Sequence, residues 1–297
     1  MPELPDITAY LEALEARVVG RTLEGIRLAS PFVLRSIDPK VADVVGHEIV
    51  GVRRIGKRIV FALDPDLFAV IHLMVAGRFQ WKDEPKAKVP GKIGLLAFDF
   101  SHGTLLLTEA STKKRASLHL VRGAASLAPF ERGGLEPIGS SFEDFKEAIT
   151  RERHTLKRAL TDPRLLSGIG NAYSDEILHR AKMSPVTRSD RLDDGAITRL
   201  HAATLEVLEE WIVRLRADFG EKFPAKVTAF RPEMAVHGKY GEPCPTCGTK
   251  VQRIVYAENE SNYCPRCQTG GKLLADRSLS RLLKGNWPKT IEELEGR

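Results

Sequence analysis

All four cysteines of the chain fall between Cys244 and Cys267, as Cys244-x2-Cys247, sixteen intervening residues, and Cys264-x2-Cys267. Two such knuckles present four sulfurs tetrahedrally, which is the spacing of a four-thiolate zinc site rather than of a disulfide framework. Free or redox-active thiols are the alternative, and the spacing favours zinc. The segment between the knuckles includes Lys250 to Tyr256 and reads as a β-hairpin. No His, Asp or Glu in the cluster is arranged as an open coordination position, so the expected ion is structural and not catalytic.

The rest of the chain is long enough to carry more than this finger. With 297 residues, 42% hydrophobic and 28% charged, it buries a sizeable core, which excludes a disordered tail, a collagen-like fibre and a small disulfide scaffold. The longest apolar stretch, Leu67 to Gly77, falls short of the roughly 20 residues that a membrane helix requires. Glu3 and Asp6 stand where a secretory leader carries basic residues, so the expected location is cytoplasmic, nucleoid-associated in a bacterium, and reducing.

The texture changes along the chain. Ile7, Leu11, Leu14 and Val18 form a helical stripe, with Pro5 in the first turn and Gly20 as a stop. From Thr22 to about Arg122 short β-type runs alternate with turns, among them residues 48–52, 58–63, 68–74 and 104–107, with Asp64-Pro65-Asp66 and Ser101-His102-Gly103 as turns. A β-sandwich or barrel fits this pattern. Pro129 to Ser141 is rich in Gly, Pro and Ser, and helical patterns follow at Phe142–Thr150 and Ala196–Arg216. The expected architecture is therefore an α+β multidomain chain. Residues 1–130 form an N-terminal helix plus β-sandwich, 141–240 a helical domain, 241–270 the four-cysteine zinc finger and 271–297 a basic extension. In that extension Asp276 is a helix cap and Thr290 with Glu293 a capping box.

Charge points to a polyanionic partner. Lys plus Arg number 45 against 39 Asp plus Glu, a net charge of +6. Arg151 to Arg164 holds five basic residues against two acids, and Lys113, Lys114, Arg115 and Arg122 form a second cluster. Such density neutralises phosphates, although a solvated charged face accounts for either cluster alone. Next comes Gly168-Ile169-Gly170-Asn171, a turn feeding a helix whose exposed N–H groups and Asn amide suit a phosphate oxygen.

The N-terminus is the sharpest chemical feature. Removal of Met1 before Pro2 leaves a secondary amine, which attacks a sugar aldehyde carbon. Its ordinary pKa of about 7.7 to 8.0 leaves a neutral fraction near pH 7, and Glu3 stands beside it to move protons.

Together these features resemble the formamidopyrimidine-DNA glycosylase and endonuclease VIII family. The resemblance rests on Pro2-Glu3-Leu4-Pro5, Lys57 after Arg53-Arg54-Ile55-Gly56, and His72-Leu73 before Gly77. It continues through Gly168-Ile169-Gly170-Asn171 to Gly241-Glu242-Pro243-Cys244, in family order from residue 2 to Gln268. It implies a base-excision enzyme that binds damaged DNA in a cleft between the β-sandwich domain and a helix-two-turn-helix domain bearing the zinc finger, acting as a monomer. Pro2 is then the nucleophile at C1′ of a flipped nucleotide, forming a Schiff base, with Glu3 the acid/base at the sugar and strand cleavage by β- and often δ-elimination. Lys57 and Asn171 are the phosphate contacts. His72, inside an apolar run, reads better as a satisfied core or edge histidine.

Several positions depart from the family pattern. Asp6 replaces Glu, which shortens the carboxylate beside the active site. Val75 stands where a methionine fills the hole left by the flipped base, with Met74 next to it as the substitute. Glu109 to Ala116 replaces the loop carrying the other void fillers, leaving Lys114 or Arg115 in that role. At the finger tip Glu258, Asn259 and Glu260 replace an arginine, so the hairpin is expected not to enter the groove in the family's manner. Lys272, Arg277, Arg281 and Lys284 lie beyond the family's usual end, as compensating DNA contacts or as a small helix packed through Leu279, Leu282 and Leu283. The competing functions are a non-catalytic protein that binds damaged or abasic DNA, and a zinc-ribbon transcription factor, which leaves the N-terminal motif unused.

Overall fold

Helix α1 (Leu4–Val18) starts where the sequence provides a start. Glu3 is its N-cap in extended backbone, Pro5 sits in the first turn, and Asp6 accepts the Glu3 N–H at 3.0 Å. It stops before Gly20, whose φ of 73° lies in the left-handed region that favours glycine. The buried stripe runs through Ile7, Tyr10, Leu14 and Val18. Tyr10 takes the place expected for Leu11, which is only partly buried. Its ring packs edge-on to Phe79 at 5.7 Å, and its hydroxyl accepts the Phe79 N–H at 3.3 Å, so an amphipathic side chain satisfies a buried backbone donor.

The computed structural model describes residues 1–225, 227–256, 259–275 and 288–295. Nine strands follow α1: β1 (Arg21–Thr22), β2 (Gly25–Leu28), β3 (Glu48–Ile55), β4 (Arg58–Leu63), β5 (Leu67–His72), β6 (Gly77–Lys82), β7 (Gly94–Phe100), β8 (Gly103–Glu109) and β9 (Ser117–Arg122). They form two antiparallel sheets, ordered β1-β3-β4-β5-β9 and β2-β7-β8-β6. Ile59, Phe61, Ile71 and Leu118 of the first sheet share one core with Phe79, Phe98, Leu105 and Leu107 of the second and with α1. That is the sandwich, held chiefly by apolar burial, roughly 1.5 to 3 kcal/mol for each large side chain. Every residue of β7 and β8 is buried, so these strands show no alternation for a sequence pattern to detect. The expected run 68–74 ends at His72, because Met74 has a φ of 53° and the Gly77 N–H turns back to the Leu73 carbonyl at 2.9 Å.

Four helices follow: α2 (Phe142–Thr150), α3 (Leu156–Thr161), α4 (Asn171–Arg180) and α5 (Asp194–Phe219). Ser141 caps α2 by accepting the Asp144 N–H, and Thr155 caps α3 by accepting that of Arg158. The finger then supplies strands β10 (Gln252–Tyr256) and β11 (Asn259–Tyr263), paired as a hairpin, and the short helix α6 (Pro265–Thr269).

The chain divides into two compact units, residues 1–132 with 211–228, and residues 133–210 with 229–297. Sequence texture groups residues 211–228 with the helical domain. Their side chains instead join the first unit, where Phe223 packs against Tyr10 at 5.9 Å and Val227 enters the sandwich core.

Beyond the finger the chain closes on itself. The Leu273 N–H donates to the Lys289 carbonyl at 2.8 Å, the Ile291 N–H donates to that of Gly271 at 3.0 Å, Lys272 bridges Thr290, and Ile291 is buried. Thr290 Oγ1 accepts the Glu293 N–H at 3.3 Å, but the Glu293 carboxylate accepts from the Lys289 N–H, one residue earlier than a capping box requires. The expected cap Asp276 and the tail residues Arg277, Leu279, Arg281, Leu282, Leu283 and Lys284 lie outside the described residues. Among the described residues no helix is long and apolar enough to cross a membrane.

Candidate active site and nucleic-acid contacts

In the first unit the site grows from the capped start of α1. Pro2 and Glu3 are buried, and the Glu3 backbone is held at both ends, its N–H by Asp6 and its carbonyl by the Ile7 N–H at 2.8 Å. The shortened acid thus acts locally, because Asp6 fixes the main chain of the residue expected to move protons. The Met1 amine that precedes them has its pKa lowered, first by burial, with Arg78 and Lys57 pushing the same way against Glu3 and Asp6. Arg78, the second residue of β6, donates to the carbonyls of Val75 and Gly77 at 3.1 and 2.7 Å. Sequence reasoning missed it. The available signal was its position directly after Gly77 of the matched motif.

Lys57 occupies the two-residue turn between β3 and β4. Ile55 pairs with Arg58, and Gly56 has a φ of 60°, which suits the first central position of a tight hairpin turn. The lysine is half-buried. Arg58 pairs with His72 across the β4–β5 ladder, so turn and histidine share one end of the sheet. His72 Nδ1 accepts the Met74 N–H at 3.1 Å, which places its proton on Nε2. Burial holds its pKa down to about 4, helped by Arg58, Lys57 and His119. It is therefore a neutral ring that orders the following turn and keeps one donor.

That turn places the expected void filler Met74 and Val75, which stands in the methionine's position. Val75 is 60% exposed at the tip, while Met74 is half-buried with its N–H tied to His72. The second loop is pinned by Glu109, whose carboxylate accepts the N–H groups of Arg115 and Ala116 at 2.8 and 3.0 Å. Lys114 Nζ turns back onto the Glu109 carbonyl, whereas Arg115 is exposed.

In the second unit the turn Gly168–Asn171 opens α4, with Gly170 as N-cap and Asn171 as first helical residue. Lys157 Nζ donates to the Asn171 carbonyl at 2.6 Å and to Asp175 Oδ1 at 2.5 Å. The Asn171 side-chain amide donates to the Glu260 carbonyl at 2.8 Å, a tie to the finger hairpin that the sequence did not suggest. The basic cluster at 151–164 is partly structural: Lys157 serves Asp175, and Arg164 pairs with Asp162 at 2.7 Å and Glu152 at 3.2 Å. Arg151, Arg153 and Arg158 remain exposed. Glu260, expected to repel phosphate, is half-buried and paired with Arg253 at 3.2 Å. Glu258 lies outside the described residues, as does the side chain of Asn259.

The metal site lies in the same unit. The sulfurs of Cys244, Cys247, Cys264 and Cys267 all lie within 4.8 Å of one another, with Cys247–Cys264 at 3.4 Å and Cys244–Cys267 at 4.0 Å. Tetrahedral thiolates at about 2.3 Å from zinc are about 3.8 Å apart, so the donor set fits that ion. Zinc here ties the two knuckles together and supplies folding energy.

Known proteins match along the same order. Residues 1–115 match the formamidopyrimidine-DNA glycosylase N-terminal domain, 134–218 the H2TH domain of that enzyme, and 241–270 a zinc finger found in FPG and IleRS. A formamidopyrimidine-DNA glycosylase of Heliobacterium modesticaldum is 32% identical over 90% of this chain and 100% of its own length. An uncharacterized formamidopyrimidine-DNA glycosylase-like protein of Mycobacterium tuberculosis is 40% identical over 51% of this chain and 94% of its own length. A Lactococcus lactis enzyme crystallised with Fapy-dG DNA superposes with a TM-score of 0.76 at 26% identity, covering 90% of this chain and all of that one. The same enzyme bound to DNA containing an abasic site gives 0.77 at 26% identity, over 90% of this chain and 99% of that chain. In its ordered domains and its four-cysteine finger, this chain belongs to the formamidopyrimidine-DNA glycosylase family.

Proposed function

We propose that the chain is a bifunctional DNA glycosylase and abasic-site lyase whose nucleophile is Pro2. The observation that carries this reading is the burial of Pro2 and Glu3 at the start of α1, where the neighbouring Met1 amine, set near Glu3, Asp6, Lys57 and Arg78, already has its pKa lowered. A buried amine beside cations favours its neutral, nucleophilic form. After Met1 is removed, the Pro2 nitrogen bonds to C1′ as the bond from C1′ to the damaged base breaks and its electron pair leaves with the base. The Pro2 N–H proton is lost, Glu3 gives a proton to O4′ and the C1′–O4′ bond breaks, which opens the sugar ring and leaves an iminium between Pro2 and C1′. Loss of a C2′ proton from the resulting iminium then expels the 3′ phosphate, and hydrolysis frees Pro2.

C1′ is shielded in a stacked duplex, so the nucleotide must be flipped out. Lys57 and the Nε2–H of His72 stand at one sheet end as donors for a backbone phosphate, and Asn171, whose amide carries two N–H donors, for another. Val75 and Arg115 are the exposed candidates for filling the vacated stack. The Lactococcus complexes hold Fapy-dG, an abasic site and an oxidised pyrimidine, and these three define the substrate panel.

The test is borohydride trapping of the full chain, with Met1 removal checked by mass, on a duplex containing an abasic site. A covalent adduct that disappears in Pro2→Gly and weakens in Glu3→Gln is expected. Tight binding with no adduct from correctly processed protein would replace this reading with that of a non-catalytic damage-binding protein.

A further inference from the structure

The face of α4 turned toward the finger carries one residue for which the proposed chemistry has no use. Asn171, Asp175 and His179 are spaced by four and so share one side of the helix. Each ends on the finger. Asn171 Nδ2 donates to the Glu260 carbonyl at 2.8 Å, Ser261 Oγ donates to Asp175 Oδ1 at 3.1 Å, and His179 Nε2 lies 3.3 Å from Cys244 Sγ. His179 is 8% exposed, and Cys244 is 2% exposed. Just past the end of α4, Gln268 Nε2 donates to the Met183 carbonyl at 2.8 Å, while its Oε1 accepts the Cys264 N–H at 2.7 Å. The helix that begins at the phosphate-binding turn is thus stitched to the finger along its whole length.

Four thiolates on one divalent cation carry two net negative charges. In a buried site that charge is stabilised by N–H donors aimed at sulfur, and such outer contacts orient the ligands and tune affinity. A metal-bound thiolate has no proton to give, so a ring nitrogen at hydrogen-bond distance from it must be the donor. We infer that His179 donates its Nε2–H to the zinc-bound sulfur of Cys244 and is the positioning residue coupling the helix-two-turn-helix to the metal. It acts through Cys244 and is not itself a ligand. The inference rests on the zinc site and not on the Pro2 chemistry, so either can fail without the other.

Two measurements on the full chain test it. The first is the rate of zinc transfer to a chelating dye, together with the thiolate-to-metal charge-transfer band of the cobalt-substituted protein. His179→Leu should lose zinc about tenfold faster or more and shift the band, whereas His179→Gln, which keeps an N–H donor, should restore both. Wild-type zinc retention and an unshifted band in His179→Leu overturn the inference, as does failure of the glutamine variant to rescue a folded protein. The second needs no variant: in the cadmium-113 form of the wild-type protein the Nε2 proton should be present and show scalar coupling to the metal across the sulfur. A ring protonated on Nδ1 alone overturns the inference even if the leucine variant does not fold.

Discussion

Asn171 holds the main-chain carbonyl of Glu260, not its carboxylate, at 2.8 Å. The acidic side chain at the finger hairpin is therefore separable from the tie that fixes the helix start. Glu260→Gln removes the ion pair with Arg253, which is 44% exposed and worth about 0 to 1 kcal/mol, and keeps an oxygen to accept the Asn262 amide. Asn171→Ala leaves a half-buried carbonyl without its donor, at a cost of about 1 to 3 kcal/mol. Urea denaturation should separate the two, and equal losses would contradict this division.

Lys157 and Arg158 are neighbours with different roles. Lys157 neutralises Asp175, whose side chain is fully buried and also meets His237 Nδ1 at 2.8 Å. Lys157→Met removes the ammonium counterion of a buried carboxylate that keeps its His237, Ser261 and Asn262 contacts, and is expected to destabilise by about 3 to 5 kcal/mol. Arg158 is exposed, so Arg158→Ala should leave stability near wild type and lower the salt dependence of DNA binding by about one phosphate. A salt slope unchanged in Arg158→Ala removes it from the DNA-binding surface.

The neutral His72 ties stability to pH. Its pKa is about 4 in the folded chain, against about 6.5 in the unfolded one, so the unfolded state binds more protons between these values. Stability therefore rises with pH across that window and is lost as pH falls from 6.5 toward 4. His72→Asn keeps an acceptor near the Nδ1 position but does not titrate. Between pH 7 and 5 the wild type should lose about 1 to 2 kcal/mol more than the variant. Parallel losses would show that the ring is not the source.

Lys114 and Arg115 divide along the same lines. Because Lys114 binds the Glu109 carbonyl and Arg115 is exposed, Arg115→Ala should weaken binding to lesion duplex several-fold, roughly 1 kcal/mol, with little effect on melting temperature. Lys114→Ala should mainly lower melting temperature. Fluorescence anisotropy and calorimetry on the pair decide the assignment, and a reversed pattern would make Lys114 the residue that reaches the DNA.

Local chemistry determined much of this protein from sequence alone. The cysteine spacing specified the four-sulfur site, the helical pattern from Phe142 specified α2, and Pro5 with Gly20 bounded α1, because turns, periodic patterns and metal knuckles are written in adjacent residues. What required tertiary structure was every relation between distant residues. Tyr10 displaced Leu11 from the buried stripe because Phe79 needed both a ring and a hydroxyl. Residues 211–228 joined the first unit because Phe223 and Val227 found its core. Lys157 became the counterion of Asp175, and Asn171 and His179 became ties to the finger. A side chain's charge or amide reveals which bonds it is able to make, and only the fold decides which partner is close enough, and dry enough, to take them.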